Sequence, residues 1–159
     1  MNRRKKGAKR RRRTLQTWTI QQAEAAVPYL RSILASLREH YLELRASRLG
    51  IRRLVARPGR PDRAALLALR HAEEEADRTS EQATEAAREL AELDVFCLDP
   101  AEGQALVPFL CEDQLAWYLF DSFDEHKPLR YWRFDNDPAE TRRPITPLQK
   151  GEPCTVRIG

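Results

Sequence analysis

Residues 30–62 read LRSILASLREHYLELRASRLGIRRLVARPGRPD, and this stretch decides the fold. Leu30, Leu34, Leu37, Tyr41, Leu44, Ile51 and Val55 recur at helical spacings. They draw one apolar stripe of coiled-coil type, interrupted at Arg48. Arg57-Pro58-Gly59-Arg60-Pro61 ends that helix and pre-sets the next, because proline cannot continue a helix and glycine accepts the turn. Downstream, Asp62 is a good N-cap for a second helix with the stripe Leu66, Leu69, Ala76, Ala83, Ala87 and Leu90. One stripe is leucine-rich and the other alanine-rich, so large residues face small ones and the two helices close as an antiparallel hairpin. Each arm is about 45–55 Å long by helical rise. Pairing about the turn sets Arg45 near Glu74 and Arg38 near Glu81. Upstream, Thr19 and Gln22 have the spacing of a capping box, with Trp18 in front. Pro28 then predicts a kink, or a short first helix feeding a longer second one.

Two helices bury only one seam, so the hairpin needs a third surface: the rest of the chain, a second copy, or a partner. After Asp94 the period changes from helical to alternating. Short strands are predicted at Val95–Leu98, Ala105–Leu110, Leu115–Phe120 and Leu129–Phe134. Glu112-Asp113 makes a hairpin turn, and Asp121 to Pro128 a polar loop. Pro108 demotes its strand to an edge or a bulge. Leu115–Phe120, apolar on both faces, reads as the central strand. From Pro144 onward the chain reads as extended and loosely held. The expected class is α+β: a long antiparallel helical hairpin packed on a small antiparallel sheet of three to four strands. Residues 1–17 form a disordered basic arm and 18–146 a single domain, with the hairpin at 18–94 and the sheet at 95–146. Residues 147–159 form a Pro-rich extended tail.

The formal charge of +4 conceals an asymmetry. Arg3, Arg4, Lys5, Lys6, Lys9, Arg10, Arg11, Arg12 and Arg13 crowd the arm without an acid. These nine, of 28 basic residues, leave 19 against 24 acids, so the body is net acidic. The arm binds polyanions by counterion release, or simply solubilises. A second cationic group, Arg45, Arg48, Arg52, Arg53, Arg57 and Arg60, gathers toward the hairpin tip. It reads either as dipole compensation at a helix C-terminus or as an anion-binding tip. No apolar run approaches the length of a membrane helix, and no secretory signal follows the basic start, so a cytoplasmic protein is expected. Cys97, Cys111 and Cys154 form no metal or redox spacing. They read as apolar fillers, with Cys97 and Cys111 as potential neighbours in the sheet.

Other chemistry is thinly signalled. His40-x-x-Glu43 and His71-x-x-Glu74 reverse the order that di-iron bundles use, and pairing sets them apart. Asp121-Ser122-Phe123-Asp124-Glu125-His126 holds the residue types of a hydrolytic triad on one loop, whereas triads draw on separate elements. Trp117, Tyr118, Phe120, Tyr131, Trp132 and Phe134 either stack bases on an open sheet or fill the core between sheet and hairpin. No metal, cofactor or catalytic residue is assigned, and the enzyme question leans to no.

Trp18-Thr19-Ile20-Gln21-Gln22-Ala23-Glu24-Ala25, Pro28, the helical hairpin, Tyr131-Trp132 and Arg142-Arg143-Pro144-Ile145 together give a layout that resembles the bacterial domain-of-unknown-function family numbered 2203. The resemblance covers roughly residues 18–146 and implies the fold rather than an activity. Members of that family typically have Leu-Cys-Trp in the third strand, where this chain has Leu119-Phe120-Asp121. They have His after the strand-four Trp, where Arg133 stands, and Asp-Phe in the second strand, where Pro108-Phe109 stands. A chemistry depending on that His would be lost here. The function expected is a non-catalytic binding or adaptor protein that self-associates through the hairpin. The alternative is a nucleic-acid or ribosome-associated protein using the arm and the Arg-rich tip.

Overall fold

Thr19 opens helix α1 (Ile20–Ala25) through the predicted capping box: its hydroxyl accepts from Gln22 N at 3.1 Å and Gln22 Oε1 accepts from Thr19 N at 3.0 Å. The computed structural model describes residues 14–146. The basic run Arg3–Arg13 and the tail from residue 147, with Cys154, lie outside the described residues. α1 stops after six residues, and Pro28 falls in the first turn of α2 (Val27–Val55), where a missing N–H costs no helical bond. This is the short helix feeding a long one. α2 spans 29 residues and α3 (Arg63–Glu92) spans 30, the second capped by Asp62, which accepts from Ala65 N at 2.8 Å. Gly59, at φ 94, makes the turn between them.

The seam between α2 and α3 differs in detail from the apolar stripes. Along α2 it runs Leu37, His40, Leu44, Ser47, Ile51 and Leu54; Tyr41 and Val55 face solvent. Along α3 it runs Ala72, Ala76, Thr79, Ala83, Ala86 and Leu90; Ala87 is exposed. The alternating three-and-four spacing of helix contact decides which residue is inside, even where that residue is Ser or Thr. The cross-helix pairs do not form as expected. Glu74 is held by Arg70 on its own helix at 3.1 Å, and Arg38 Nε donates to Ala101 O at 2.8 Å. Arg38 also lies over the Phe123 ring at 5.1 Å, clamping a sheet loop to α2.

The sheet is an antiparallel meander in chain order: β1 (Phe96–Asp99), β2 (Gln104–Cys111), β3 (Gln114–Asp121), β4 (Leu129–Phe134) and β5 (Arg143–Pro144). It therefore has five strands, one more than the upper sequence expectation. β5 also corrects the expectation that the chain loosens from Pro144: Ile145 N donates to Arg130 O at 3.0 Å and the Ile145 side chain is buried. Arg143 anchors this strand with a forked contact to Asp137, both at 2.9 Å from Nη2, and lies over Trp132 and Phe134. The Phe134 N–H and then Arg143 hold the Asp137 carboxyl below the usual carboxylate range.

Pro108 was expected to make its strand an edge or a bulge; β2 lies between β1 and β3 in the sheet, yet at Pro108 itself it is a local edge. β1 pairs only with Gln104 to Leu106, so beyond them the far side of β2 is open. Pro108 pairs with Trp117 on one side, and on the other its carbonyl accepts from Trp18 N at 2.8 Å. The chain is tied down slightly before that, where Gln16 N donates to Asp94 at 2.8 Å. Glu112 and Asp113 form the tight β2–β3 turn with φ 50 and 61, a left-handed pair that non-glycine residues adopt at a cost. Cys97 pairs with Ala105, six residues along β2 from Cys111, so the two thiols are about 20 Å apart by strand rise rather than neighbours. Burial, and then Asp99, push the Cys97 thiol up, which disfavours the reactive thiolate.

Alternation along the strands separates two faces. The inner face, with Ala105, Val107, Phe109, Ala116, Tyr118, Phe120, Leu129 and Trp132, forms one core with Ile20, Leu30, Ile33, Leu34, Leu37, Ala86 and Leu90 of the helices. Phe109 and Tyr118 stack at 3.9 Å, and Trp132 meets Phe109 and Phe134 edge-on. The outer face buries Trp117 against Phe96 and bonds its indole N–H to Asp135 at 2.8 Å. Most of the aromatic set thus serves packing. The sheet engages the base of the hairpin, and the buried positions thin out along α2 beyond Leu44 and along α3 before Ala76.

Candidate interaction surface on the distal hairpin

The distal half of the hairpin projects past the sheet as two helices with a closed seam and open flanks. Leu49, Val55, Leu66 and Leu67 are 45%, 66%, 53% and 56% exposed, with Val55 and Leu66 on one side of the hairpin and Leu49 and Leu67 turned outward. At the very end, Leu54, Val55, Leu66 and Leu69 line a cleft of about 430 Å³ whose rim is Arg57, Gly59 and Arg60. Sequence periodicity missed this cleft, because Val55 and Leu66 look like seam residues until the seam is seen to pass through Leu54 and Leu69.

Arg45, Arg48, Arg52, Arg53, Arg57 and Arg60 are all exposed. Among the described residues none of the six forms an ion pair. The contrast with α3 is plain: Arg70, Arg78 and Arg88 each lie within 4.0 Å of a glutamate on the same helix. Asp62, the acid nearest the tip arginines, is occupied as the α3 cap. Arg52 and Arg53 occupy the last turn of α2, where they also complement the helix dipole. The fold divides this group. Arg45, Arg48 and Arg52 share one flat side of the hairpin, Arg53 turns outward, and Arg57 and Arg60 rim the cleft. The arm residues Arg3, Arg4, Lys5, Lys6, Lys9, Arg10, Arg11, Arg12 and Arg13 lie outside the described residues.

The opposite flat side is marked by a shallow groove in which Glu43 and Ser47 of α2 face Glu75, Arg78, Thr79 and Gln82 of α3. This groove sets the level of one helix against the other: residues 43–47 of α2 stand beside residues 75–82 of α3. Counting at 1.5 Å per residue from there, Arg45 is level with Asp77, Arg48 with Glu73 and Glu74, and Val55 with Leu66 and Leu67.

A second depression, about 270 Å³, lies at the loop end of the sheet among Asp121, Asp124, Lys127, Arg130, Tyr131 and Arg142. Its acids are structural. Asp121 accepts from Phe123 N at 2.9 Å; Asp124 accepts from Lys127 N at 2.9 Å and pairs with Arg130 at 2.7 Å. The Lys127 N–H, with Arg130 and His126 adding to it, holds the Asp124 carboxyl below its ordinary range. Among the described residues Ser122 and His126 share no hydrogen bond, so the triad residue types on this loop do not assemble as a triad. His40 meets Glu43 at 3.8 Å beside the seam, while His71 meets Glu75 at 3.6 Å on the exposed face of α3, and the two pairs stay apart.

A family model described as an uncharacterized conserved protein, DUF2203, matches residues 16–145, which is the whole of the hairpin and the sheet through Ile145. The chain belongs to this family. No curated protein and no solved structure matches it. The DUF2203 match starts at the residue where Gln16 bonds Asp94 and ends at the residue that Arg130 fastens to β4. Among the described residues no helix is long and apolar enough to cross a membrane. The six tip arginines and the exposed Leu49, Val55, Leu66 and Leu67 of this DUF2203 chain lie on the hairpin, and Leu98 and Leu110 are exposed on the sheet.

Proposed function

We propose that the protein is a non-catalytic binding or adaptor protein that self-associates through its helical hairpin. One observation carries this reading: the distal hairpin leaves Leu49, Val55, Leu66 and Leu67 in water although the seam beneath them is closed. An isolated two-helix arm of this length gains stability from a third surface, and the sheet supplies one only at the base. Light scattering coupled to size exclusion is expected to show a mass that rises from one chain toward two as concentration increases. A single-chain mass at every concentration would contradict the proposal.

A second reading has its own support in the six unpaired arginines. Nucleic acid is the alternative partner, met by the basic arm and by the Arg-rich tip at opposite ends of the hairpin. That reading expects binding to a generic duplex or single strand to fall steeply with salt and to drop when residues 1–13 are deleted. Affinity that is indifferent to salt would remove it. The aliphatic character of the tip favours the first reading, because strand binding uses stacking aromatics and the exposed group here holds none beyond Tyr41.

A further inference from the structure

The flat side of the hairpin that carries Arg45 and Arg48 is complementary to itself. Turning about 100° per residue, α2 presents Tyr41, Arg45, Arg48, Arg52 and Val55 on this side, and all five are exposed. The same rotation puts Leu66, Arg70, Glu73 and Asp77 of α3 on the same side, also exposed, with Arg70 paired to Glu74 at 3.1 Å. Among the described residues, Arg45, Arg48, Glu73 and Asp77 form no ion pair, although Glu74, Glu75 and Glu85 of α3 are each paired along their helix. Over residues 45–48 and 73–77 the face is therefore divided lengthwise, with cations on α2 and anions on α3. The two columns stand level, Arg45 with Asp77 and Arg48 with Glu73, and the apolar pair Val55 and Leu66 stands level nearer the tip.

We infer that this face is a two-fold interface with a second copy of the chain, in which Arg45 and Arg48 of each copy meet Asp77 and Glu73 of the other while Val55 packs on Leu66. The inference rests on the self-association proposed above and names its surface and symmetry. A two-fold axis running along the hairpin lays α2 of one copy against α3 of the other at equal height. Because the columns are level, Arg45 and Arg48 then face Asp77 and Glu73, and each contact occurs twice; Arg52 stands nearest Arg70, whose charge is held by Glu74 on its own helix. An axis across the hairpin sets α2 against α2 and α3 against α3, opposing like charges. Neighbouring helices in the favoured arrangement are all antiparallel, as in a four-helix bundle. The sheet bounds the contact. Arg31 and Arg38 reach Asp124 O and Ala101 O, so sheet loops lean on α2 nearer the base, and the two copies meet over their distal halves and diverge below.

Paired charge reversals test this in the full-length chain. Arg45→Glu with Arg48→Glu opposes acid to acid at both symmetric contacts and is expected to weaken association roughly a hundredfold. Glu73→Arg with Asp77→Arg opposes base to base and is expected to do the same. Mixing the two variants restores each contact, one with reversed and one with native polarity, so the mixture is expected to associate as a heterodimer while each variant alone stays monomeric. All four positions are exposed, so circular dichroism is expected to show unchanged helix content in both variants. If native protein stays monomeric, self-association itself fails. If native protein associates and either reversal leaves its affinity unchanged, the chains meet elsewhere and this inference is overturned. Loss of association with Phe96→Ser and Leu110→Ser, with the charge reversals inert, would place the contact on the outer sheet face instead. Failure of the mixed variants to associate would also overturn it.

Discussion

Phe120→Ala is expected to destabilise the fold by about 3–5 kcal/mol, the usual cost of emptying a buried phenylalanine site. Phe120 is 1% exposed and sits mid-sheet, with Ala105 opposite on β2 and Leu129 opposite on β4. Ala105 has little bulk to relax into the space, and the β3–β4 register shift beside Phe120 limits how far Leu129 can follow. The void therefore stays open, which is the expensive outcome. A domain of this size has about 5–15 kcal/mol in all, so the variant sits near its unfolding threshold. Urea titration is expected to show a lower midpoint at an unchanged slope. A midpoint within error of native would mean that Phe120 is not part of the core that joins sheet and hairpin.

The second large effect separates the two halves of the hairpin. Leu34→Ala removes a side chain that is 1% exposed beneath the sheet, and about 2–5 kcal/mol is expected to be lost. Leu66→Ala, at 53% exposure near the tip, is expected to change stability by about 0.5 kcal/mol or less in dilute solution. The same substitution is expected to weaken self-association, because there Leu66 is the partner of Val55. Equal losses at the two sites in dilute solution would show that the tip is packed within one chain, leaving no surface for another.

Much of this architecture was legible in the residues. Thr19 and Gln22 announced the first cap, Pro28 the break between α1 and α2, and the Arg57–Pro61 run the hairpin turn. The period change after Asp94 marked the sheet. What the sequence obscured has physical causes. Choosing the most apolar residue per turn selected Tyr41, Val55 and Ala87, whereas helix contact follows spacing and admits Ser47, Thr79 and Ala86 where two backbones approach. β5 is two residues long and has no period to detect; it exists because Arg143 reaches Asp137, Trp132 and Phe134. Pro108 was read as making the whole strand an edge or a bulge, whereas β1 pairs with the start of β2 and leaves only the part around Pro108 open.

The arginine group was visible as composition, but its division was not. Only the level of α2 against α3 shows that Arg45 and Arg48 stand beside an acidic column rather than among the tip arginines. The resemblance to DUF2203 predicted the layout and the match confirmed membership. Pro108 receives Trp18, and the Arg133 Nη1 donates to Asp137 O at 3.5 Å near the β5 anchor.

The most direct measurement of where two copies meet is an inter-chain distance between spin labels, one per chain, after the native cysteines are replaced by alanine. Ala46→Cys places the label on the distal hairpin outside the charged face, and Glu125→Cys places it on the sheet loop at the base; both positions are exposed. With helix axes about 8–10 Å apart at the contact, the Ala46 labels are expected to be clearly closer to one another than the Glu125 labels. A shorter distance between the Glu125 labels, or no dipolar coupling at either position at concentrations where the mass is that of two chains, would contradict a hairpin interface.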